Sequence, residues 1–269
     1  MKRLRILAAT LSFLVLLAMI VGCVGPESIF PDKNLEAAIR DALGKPVGER
    51  ITAAELASLT ELSIDSKAVT DLTGLENCVN LETLNLGSNN ISDISALAGL
   101  TNLDWLYLGN NNISDISALA GLTNLETLAI GNNNINDISA LAGLTNLWFL
   151  NLRDNNISDI SSLAGLTNLE TLVIGNNSIS DISTLAGLNT LQRLILNNNN
   201  ISDISALTDF TKLDTLDLSG NSISDISPLV ANSELSDGVL IILTGNPLSA
   251  TSVNVYIPQL VEEGVDVEY

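Results

Sequence analysis

Histidine does not occur anywhere in the 269 residues, and this gap excludes more chemistry than any other. Ser-His-Asp and Cys-His arrangements both need an imidazole base, and imidazole is also the commonest transition-metal ligand. Cysteine occurs twice, at Cys23 and Cys78, so no disulfide framework can form and packing must supply the stability. Aromatic residues make up only 3% of the chain, and basic residues number 11 against 31 acidic, a net charge of −20. Such a field repels nucleic acid and anionic headgroups. No glycine-rich loop leads from a strand into a helix to cradle phosphates. Carboxylate-only hydrolysis is the one catalytic chemistry left open, as a remote alternative, and no cofactor or metal is expected.

What is present begins with a targeting segment. Lys2, Arg3 and Arg5 precede an apolar run from Ile6 to Val21, the layout of a secretory signal. The run ends in Ile20-Val21-Gly22-Cys23, which resembles the bacterial lipobox; that resemblance implies cleavage before Cys23 and a lipid on its sulfur. The alternatives are an ordinary signal peptide or an uncleaved anchor just long enough to span. All three place the remainder outside the cytoplasm. Loss of the three basic residues would take the charge from −20 to −23.

From Leu59 onward the sequence repeats every 22 residues, with units starting at Leu59, Leu81, Leu103, Leu125, Leu147, Leu169, Leu191 and Leu213. A ninth, partial unit around Ile241 to Leu248 is displaced by three residues. Within a unit, Leu84 and Leu86 alternate with Thr83, Asn85 and Gly87, which predicts a short strand with one buried face. Ile94, Leu97 and Leu100 follow three apart, a spacing that suits a 3₁₀ turn better than an α-helix. One unit cannot offset the entropy of ordering its own backbone, so the units must stack. The expected fold is an α/β leucine-rich-repeat solenoid with a parallel sheet on the concave face, 3₁₀-like turns on the convex face and a small helical N-terminal cap.

Two columns of polar residues follow the same period. Asn89, Asn111, Asn133, Asn155, Asn177, Asn199 and Asn221 stand at the ninth position, with Lys67 in the first unit. A buried carboxamide there can satisfy backbone groups left unpaired by the bend, so the column reads as a structural ladder. Asp71, Asp93, Asp115, Asp137, Asp159, Asp181, Asp203 and Asp225 stand at the thirteenth. A catalytic pair needs two carboxylates in different surroundings, whereas equivalent ones suit caps on the turns' N–H groups. A weak cation-binding column is the remaining alternative. Cys78 replaces Leu at the twentieth position and reads as a small buried hydrophobe.

Outside the repeats, Leu35, Ile39, Ala42 and Leu43 mark one face of a helix that Asp32 can cap and Gly44 can end. Thr52-Ala53-Ala54-Glu55 is a capping box opening a second short helix. After Leu248, residues 249–263 suit a short helix despite Pro258, and Val265-Asp266-Val267 a closing strand. The expected division is a signal peptide at 1–22, a tether and helical cap at 23–58, repeats at 59–248 and a C-terminal cap at 249–269.

The motif ISDISALAGLTNL, its 22-residue period and the small helical cap together resemble the internalin-type bacterial leucine-rich repeats. The resemblance implies surface display and recognition of a protein or glycan, without catalysis. Two features of better-known members do not appear in this sequence: an immunoglobulin-like domain after the repeats and a C-terminal Leu-Pro-x-Thr-Gly sorting signal.

If the fourth and sixth residues of each unit point inward, the third, fifth and seventh face the concave side. These are Trp105, Tyr107 and Gly109, then Thr127, Ala129 and Gly131, then Phe149, Asn151 and Arg153. Trp148 stands at the rim, and Arg193 and Ile195 extend the surface. The pattern predicts a slot with two aromatic walls about two strand spacings, or roughly 10 Å, apart over a floor of small side chains. Both Trp residues of the sequence fall here, and Trp, Tyr and Arg are enriched at binding hot spots. The expected ligand-binding residues are therefore Trp105, Tyr107, Thr127, Ala129, Trp148, Phe149, Arg153 and Arg193. The expected partners are a protein, peptide or glycan on this face and a membrane through Cys23, with the chain a monomer that binds no nucleic acid. A spacer or surface scaffold without a ligand is the competing reading.

Overall fold

The computed structural model describes residues 29–269, so the signal segment 1–22 and Cys23 lie outside the described residues. Ten three-residue strands form one parallel sheet in sequence order among the described residues. They are β1 Glu61–Ser63, β2 Thr83–Asn85, β3 Trp105–Tyr107, β4 Thr127–Ala129, β5 Phe149–Asn151, β6 Thr171–Val173, β7 Arg193–Ile195, β8 Thr215–Asp217, β9 Leu240–Ile242 and β10 Asp266–Glu268. From β1 to β8 each residue pairs with the one 22 positions on, as Leu84 with Leu106 and Leu106 with Leu128. Between β8 and β9 Leu216 pairs with Ile241, which is the three-residue displacement seen in the sequence.

The period-two alternation and the period-three spacing each produce the element they suit. Leu84 and Leu86 on the strand segment, and Ile91, Leu97 and Leu100 beyond it, are fully buried, and the same positions recur through the stack. Opposite the sheet, 3₁₀ turns run from Ser95–Leu97 through Ser205–Leu207. In the eighth unit an α-helical turn, Ser227–Ala231, replaces them, with Pro228 in its first turn where the missing N–H is harmless. The core is one continuous column from Phe30 to Val265, with each side chain contributing about 1.5–3 kcal/mol relative to exposure.

Both ends are covered. Helix α1 (Lys33–Leu43) starts at Asp32, whose carboxylate accepts from Asn34 N and Leu35 N, and ends at Gly44 in the left-handed region. The second oxygen of Asp32 accepts from Thr70 N at 2.8 Å and from its hydroxyl at 3.1 Å, tying the cap to the first repeat. Leu35 and Ile39 are buried and Leu43 packs at the core's edge, but Ala42 is exposed, contrary to the expected face. In the last turn only the longer Leu43 side chain reaches the core. Helix α2 (Ala53–Leu56) has the full capping box, and hydrogen bonds from Lys45 and Thr52 hold the Glu55 carboxyl down to about 2. At the other end a π-helical turn, Ser252–Tyr256, leads into an α-helix over Ile257–Glu262, and β10 closes the sheet one residue later than the sequence suggests.

Candidate recognition face

The two periodic columns have backbone partners. Asn111 Nδ2 donates to the carbonyls of Leu86 and Leu108, both at 3.0 Å, while its Oδ1 accepts from Ile91 N at 3.0 Å. Asn133, Asn155, Asn177, Asn199 and Asn221 repeat this pattern one rung apart. Asn89 does the same at the first rung, where its Oδ1 accepts from both Lys67 N and Val69 N. Asn246 continues the ladder in the displaced unit, accepting from Ile223 N at 3.0 Å. The Asp column caps the convex turns: Asp93 Oδ1 accepts from Ser95 N at 2.8 Å, and Asp115 through Asp225 make the same bond. For Asp93 to Asp159 and for Asp203 the backbone bond is the largest cause of a lowered pKa, whereas for Asp181 it is the Ser183 hydroxyl.

Two further columns went unread in the sequence although they carry the same period. Asn102 Nδ2 donates to Val79 O at 3.1 Å and Asn124 to Thr101 O at 2.9 Å, so this column also joins consecutive rungs. At the strand exits Asn110, Asn132, Asn176 and Asn198 adopt φ between 54 and 61°, a region that Asn tolerates better than most residues. Asn132 Nδ2 bonds Asn110 Oδ1 at 2.7 Å on the surface.

The strand face breaks the regularity. Along the first strand position the residues run Thr83, Trp105, Thr127, Phe149, Thr171, Arg193 and Thr215, so every large side chain stands between two threonines. Trp105 is 41% exposed, and Tyr107, Ala129, Trp148 and Phe149 are half-buried. The Trp105 and Trp148 ring centroids lie 6.3 Å apart at 73°, and those of Trp148 and Phe149 5.9 Å apart at 66°, both edge-on.

This geometry corrects the open slot. Trp105 belongs to β3 and Trp148 immediately precedes β5, so their contact crosses β4 and covers what lies between. Thr127 on β4 is only 3% exposed, and its Oγ1 has no hydrogen-bond partner. It was expected on the surface as floor of the slot; the small side chain leaves room for Trp148 to lie across it. Ile195, also expected exposed, is 8% exposed, flanked in register by Val173 on β6 and Asp217 on β8.

Beside the aromatic cluster, towards the strand exits, a groove of about 400 Å³ is lined by Asn85, Tyr107, Ala129, Asn151, Arg153 and Asp154, among others. Of the expected residues, Tyr107, Ala129 and Arg153 line it, while Trp105, Thr127, Trp148 and Phe149 make up the adjoining cluster. Gly131 borders the groove, and a Cβ there would come within 3.0 Å of Arg153 O. Arg153 pairs with its neighbour Asp154 at 3.1 Å, an exposed pair worth little. Arg193 stands on β7, two strands beyond Phe149, and is separate from both.

Cys78 is buried, and desolvation, with the nearby Glu76 charge second, pushes its thiol up to about 11. It is therefore a poor nucleophile at neutral pH. Among the described residues no group of three or more His, Cys, Asp or Glu is placed to hold a metal, and no helix is long and apolar enough to cross a membrane.

Comparison with known families matches "Leucine Rich repeats (2 copies)" at residues 101–143, 145–187 and 189–231, and "Leucine rich repeat" at 57–113. The structure of internalin C2 from Listeria monocytogenes is similar at 42% identity over 77% of this chain and 92% of that one, with a TM-score of 0.74. The functional domain of InlJ from the same organism, whose structure includes a cysteine ladder, matches at 27% identity over 81% of this chain and 51% of that one, with a TM-score of 0.62. A leucine-rich-repeat protein of Leptospira interrogans shares the fold at 21% identity over 81% of this chain and 62% of that one, with a TM-score of 0.67. The search of curated proteins gives no match.

Proposed function

Because the chain belongs to the internalin-like leucine-rich-repeat family, we propose that it is an extracytoplasmic recognition module that binds a protein partner through its concave face. The observation that carries this reading is the concentration of both tryptophans, with Phe149 and Tyr107 nearby, on an exposed sheet in a chain with only 3% aromatic residues. A spacer has no reason to place them together. Trp105 forms the accessible centre, Trp148 and Phe149 support it, and Tyr107, Ala129 and Arg153 extend contact into the groove. Thr127 is the gap that lets the rings meet, and Arg193 is an outlying contact. The family's general reliance on protein partners favours a polypeptide over a glycan, and no step of catalysis is assigned to any residue.

The reading extends to placement. The signal-like segment 1–22 would be removed, residues 23–58 would serve as tether and cap, 59–248 as the recognition array and 249–269 as the closing cap. Lipid at Cys23 would hold a monomeric module at a membrane. Replacing Cys23 with Ser should release the chain from the membrane fraction and remove a lipid mass from its N-terminal peptide; a variant that stays membrane-bound, with no lipid mass on the unchanged chain, would refute the anchor.

The recognition claim is tested by capture from surface-protein and surface-glycan fractions. Trp105→Ala and Phe149→Ala should lose the captured partner while Thr83→Ala, outside the cluster, retains it. Retention by all three folded variants would contradict the proposal.

A further inference from the structure

The residue before each strand has a chemistry that the aromatic reading leaves unexplained. Glu82, Asp104, Glu126, Glu170 and Asp214 occupy this position before β2, β3, β4, β6 and β8, with Trp148 before β5 and the neutral Gln192 before β7. Backbone bonds hold them in line: Asp104 N donates to Glu82 O, Glu126 N to Asp104 O, Trp148 N to Glu126 O and Glu170 N to Trp148 O, all between 2.9 and 3.0 Å. Four of the five carboxylates are exposed and Asp104 is half-buried. None forms an ion pair among the described residues. The nearest basic side chain on the cluster's own strands, Arg153, is already paired with Asp154. Arg193, whose N donates to Glu170 O, and Lys212, two residues before Asp214, are basic residues beside the far end of the row, and neither forms an ion pair with it among the described residues. From Glu82 to Glu170 the row is a line of negative charge running through the aromatic cluster.

We infer that this row and the cluster together dock an extended polypeptide segment rich in Lys or Arg. The inference rests on the proposed concave recognition face and adds the chemistry of the partner. The face of an indole attracts a cation through its quadrupole, and here Trp148 has a carboxylate one rung away on either side. Aromatic and acidic groups at one place select a cationic side chain with an apolar stem, which Lys and Arg both have. The chain's net charge of −20 steers such a partner towards it and repels an acidic one. From Glu82 to Asp214 the row covers six strand spacings, about 29 Å, the length of roughly nine extended residues. Within the cluster, Thr127 Oγ1 is buried without a partner, a hydroxyl oxygen free to accept from a cationic side chain that enters between the Trp105 and Trp148 rings. A neutral sugar can donate its hydroxyls to the carboxylates but gains nothing from the net charge, and maltohexaose and added salt separate that case from a cationic segment.

Both tryptophans lie in the cluster, so tryptophan emission, excited beyond the tyrosine absorption band, reports on this site alone. The full-length chain in detergent is titrated with nona-lysine, nona-glutamate and maltohexaose. Nona-lysine should shift the emission saturably, and the other two should not. Adding about 0.5 M salt should weaken the response, since the contacts are charged and exposed. Glu126→Gln with Glu170→Gln should weaken nona-lysine binding about tenfold or more. Asp266→Asn with Glu268→Gln, the same charge change on the far strand β10, should leave it unaltered. Equal weakening by the two pairs would reduce the effect to overall charge and overturn the inference. So would a response to maltohexaose or nona-glutamate in place of nona-lysine, or no response. If nona-lysine fails while Trp105→Ala still abolishes partner capture, the recognition face stands and only its cationic specificity falls.

Discussion

At the ninth position of the repeat, seven units carry Asn and every amide bridges the same backbone groups. On the strand face of those same units the side chain changes from Thr to Trp to Thr to Phe to Thr to Arg to Thr. Both sets of positions sit in identical backbone. The interior must solve one problem, bonding each bend to the next, and the same side chain solves it in every rung. The strand face has no such duty, so large aromatics there cost exposed apolar area that stability does not require. Departure from the repeat on the face, against strict repetition inside, is what separates recognition from framework.

The sharpest way to break this contrast is to truncate one residue of each kind in neighbouring strands. Leu128→Ala empties a fully buried site at the centre of the stack and should cost about 2–5 kcal/mol, read by denaturant unfolding. Trp105→Ala, at a site 41% exposed, should lose far less stability, mainly its ring contact of about 0.5–1.5 kcal/mol with Trp148. Comparable losses would mean that the cluster belongs to the framework.

Asn133→Ala should have the next largest effect, about 1–3 kcal/mol, because it orphans the buried Ile113 N and takes one of two amide donors from each of the carbonyls of Leu108 and Ile130, which keep Asn111 and Asn155. Its cost should exceed that of Asn246→Ala at the part-buried last rung, since an interior rung couples to neighbours on both sides. Equal melting temperatures for Asn133→Ala and wild type would remove the ladder's assigned role.

The smallest effect concerns the convex caps. Bonding to Ser117 lowers the Asp115 pKa from its ordinary 3.8. A carboxyl with a depressed folded-state pKa contributes stability above the unfolded value and loses it as pH falls through the folded one. The wild-type melting temperature should therefore fall below pH 3.8 slightly more steeply than that of Asp115→Asn, whose amide oxygen can still accept from Ser117 N but does not titrate. Indistinguishable acid-side slopes would show that this cap does not depend on charge.

How far the sequence can be read follows the same division. The strands, the 3₁₀ turns, the Asn ladder, the Asp caps and the three-residue displacement before β9 all follow from period and residue type, because the same local problem recurs. The column containing Asn102 and Asn124 carries the same signal and was readable in principle. The packing on the strand face was not. Whether Trp148 points outward or leans over β4 depends on the space left by Thr127, and Trp148 sits at the bend, where alternation no longer assigns a direction. Consequently Trp105, Tyr107 and Phe149 could be placed on the concave side from spacing alone, whereas the burial of Thr127 and Ile195 and the closure of the slot could not. Ala42 fails for a related reason, since helical spacing gives its direction but not whether its short side chain reaches the core.

The central claim is that Trp105 serves binding and not folding, and one measurement addresses it directly. Equilibrium affinity for the captured partner is compared between wild type and Trp105→Ala, with the melting temperature recorded on the same preparations. A hot-spot aromatic costs about 2 kcal/mol or more on truncation, so affinity should fall roughly thirtyfold. The melting temperature should move by only a few degrees, at about 2–4 °C per kcal/mol for a chain this long. Unchanged affinity in a variant that still melts cooperatively would contradict the account.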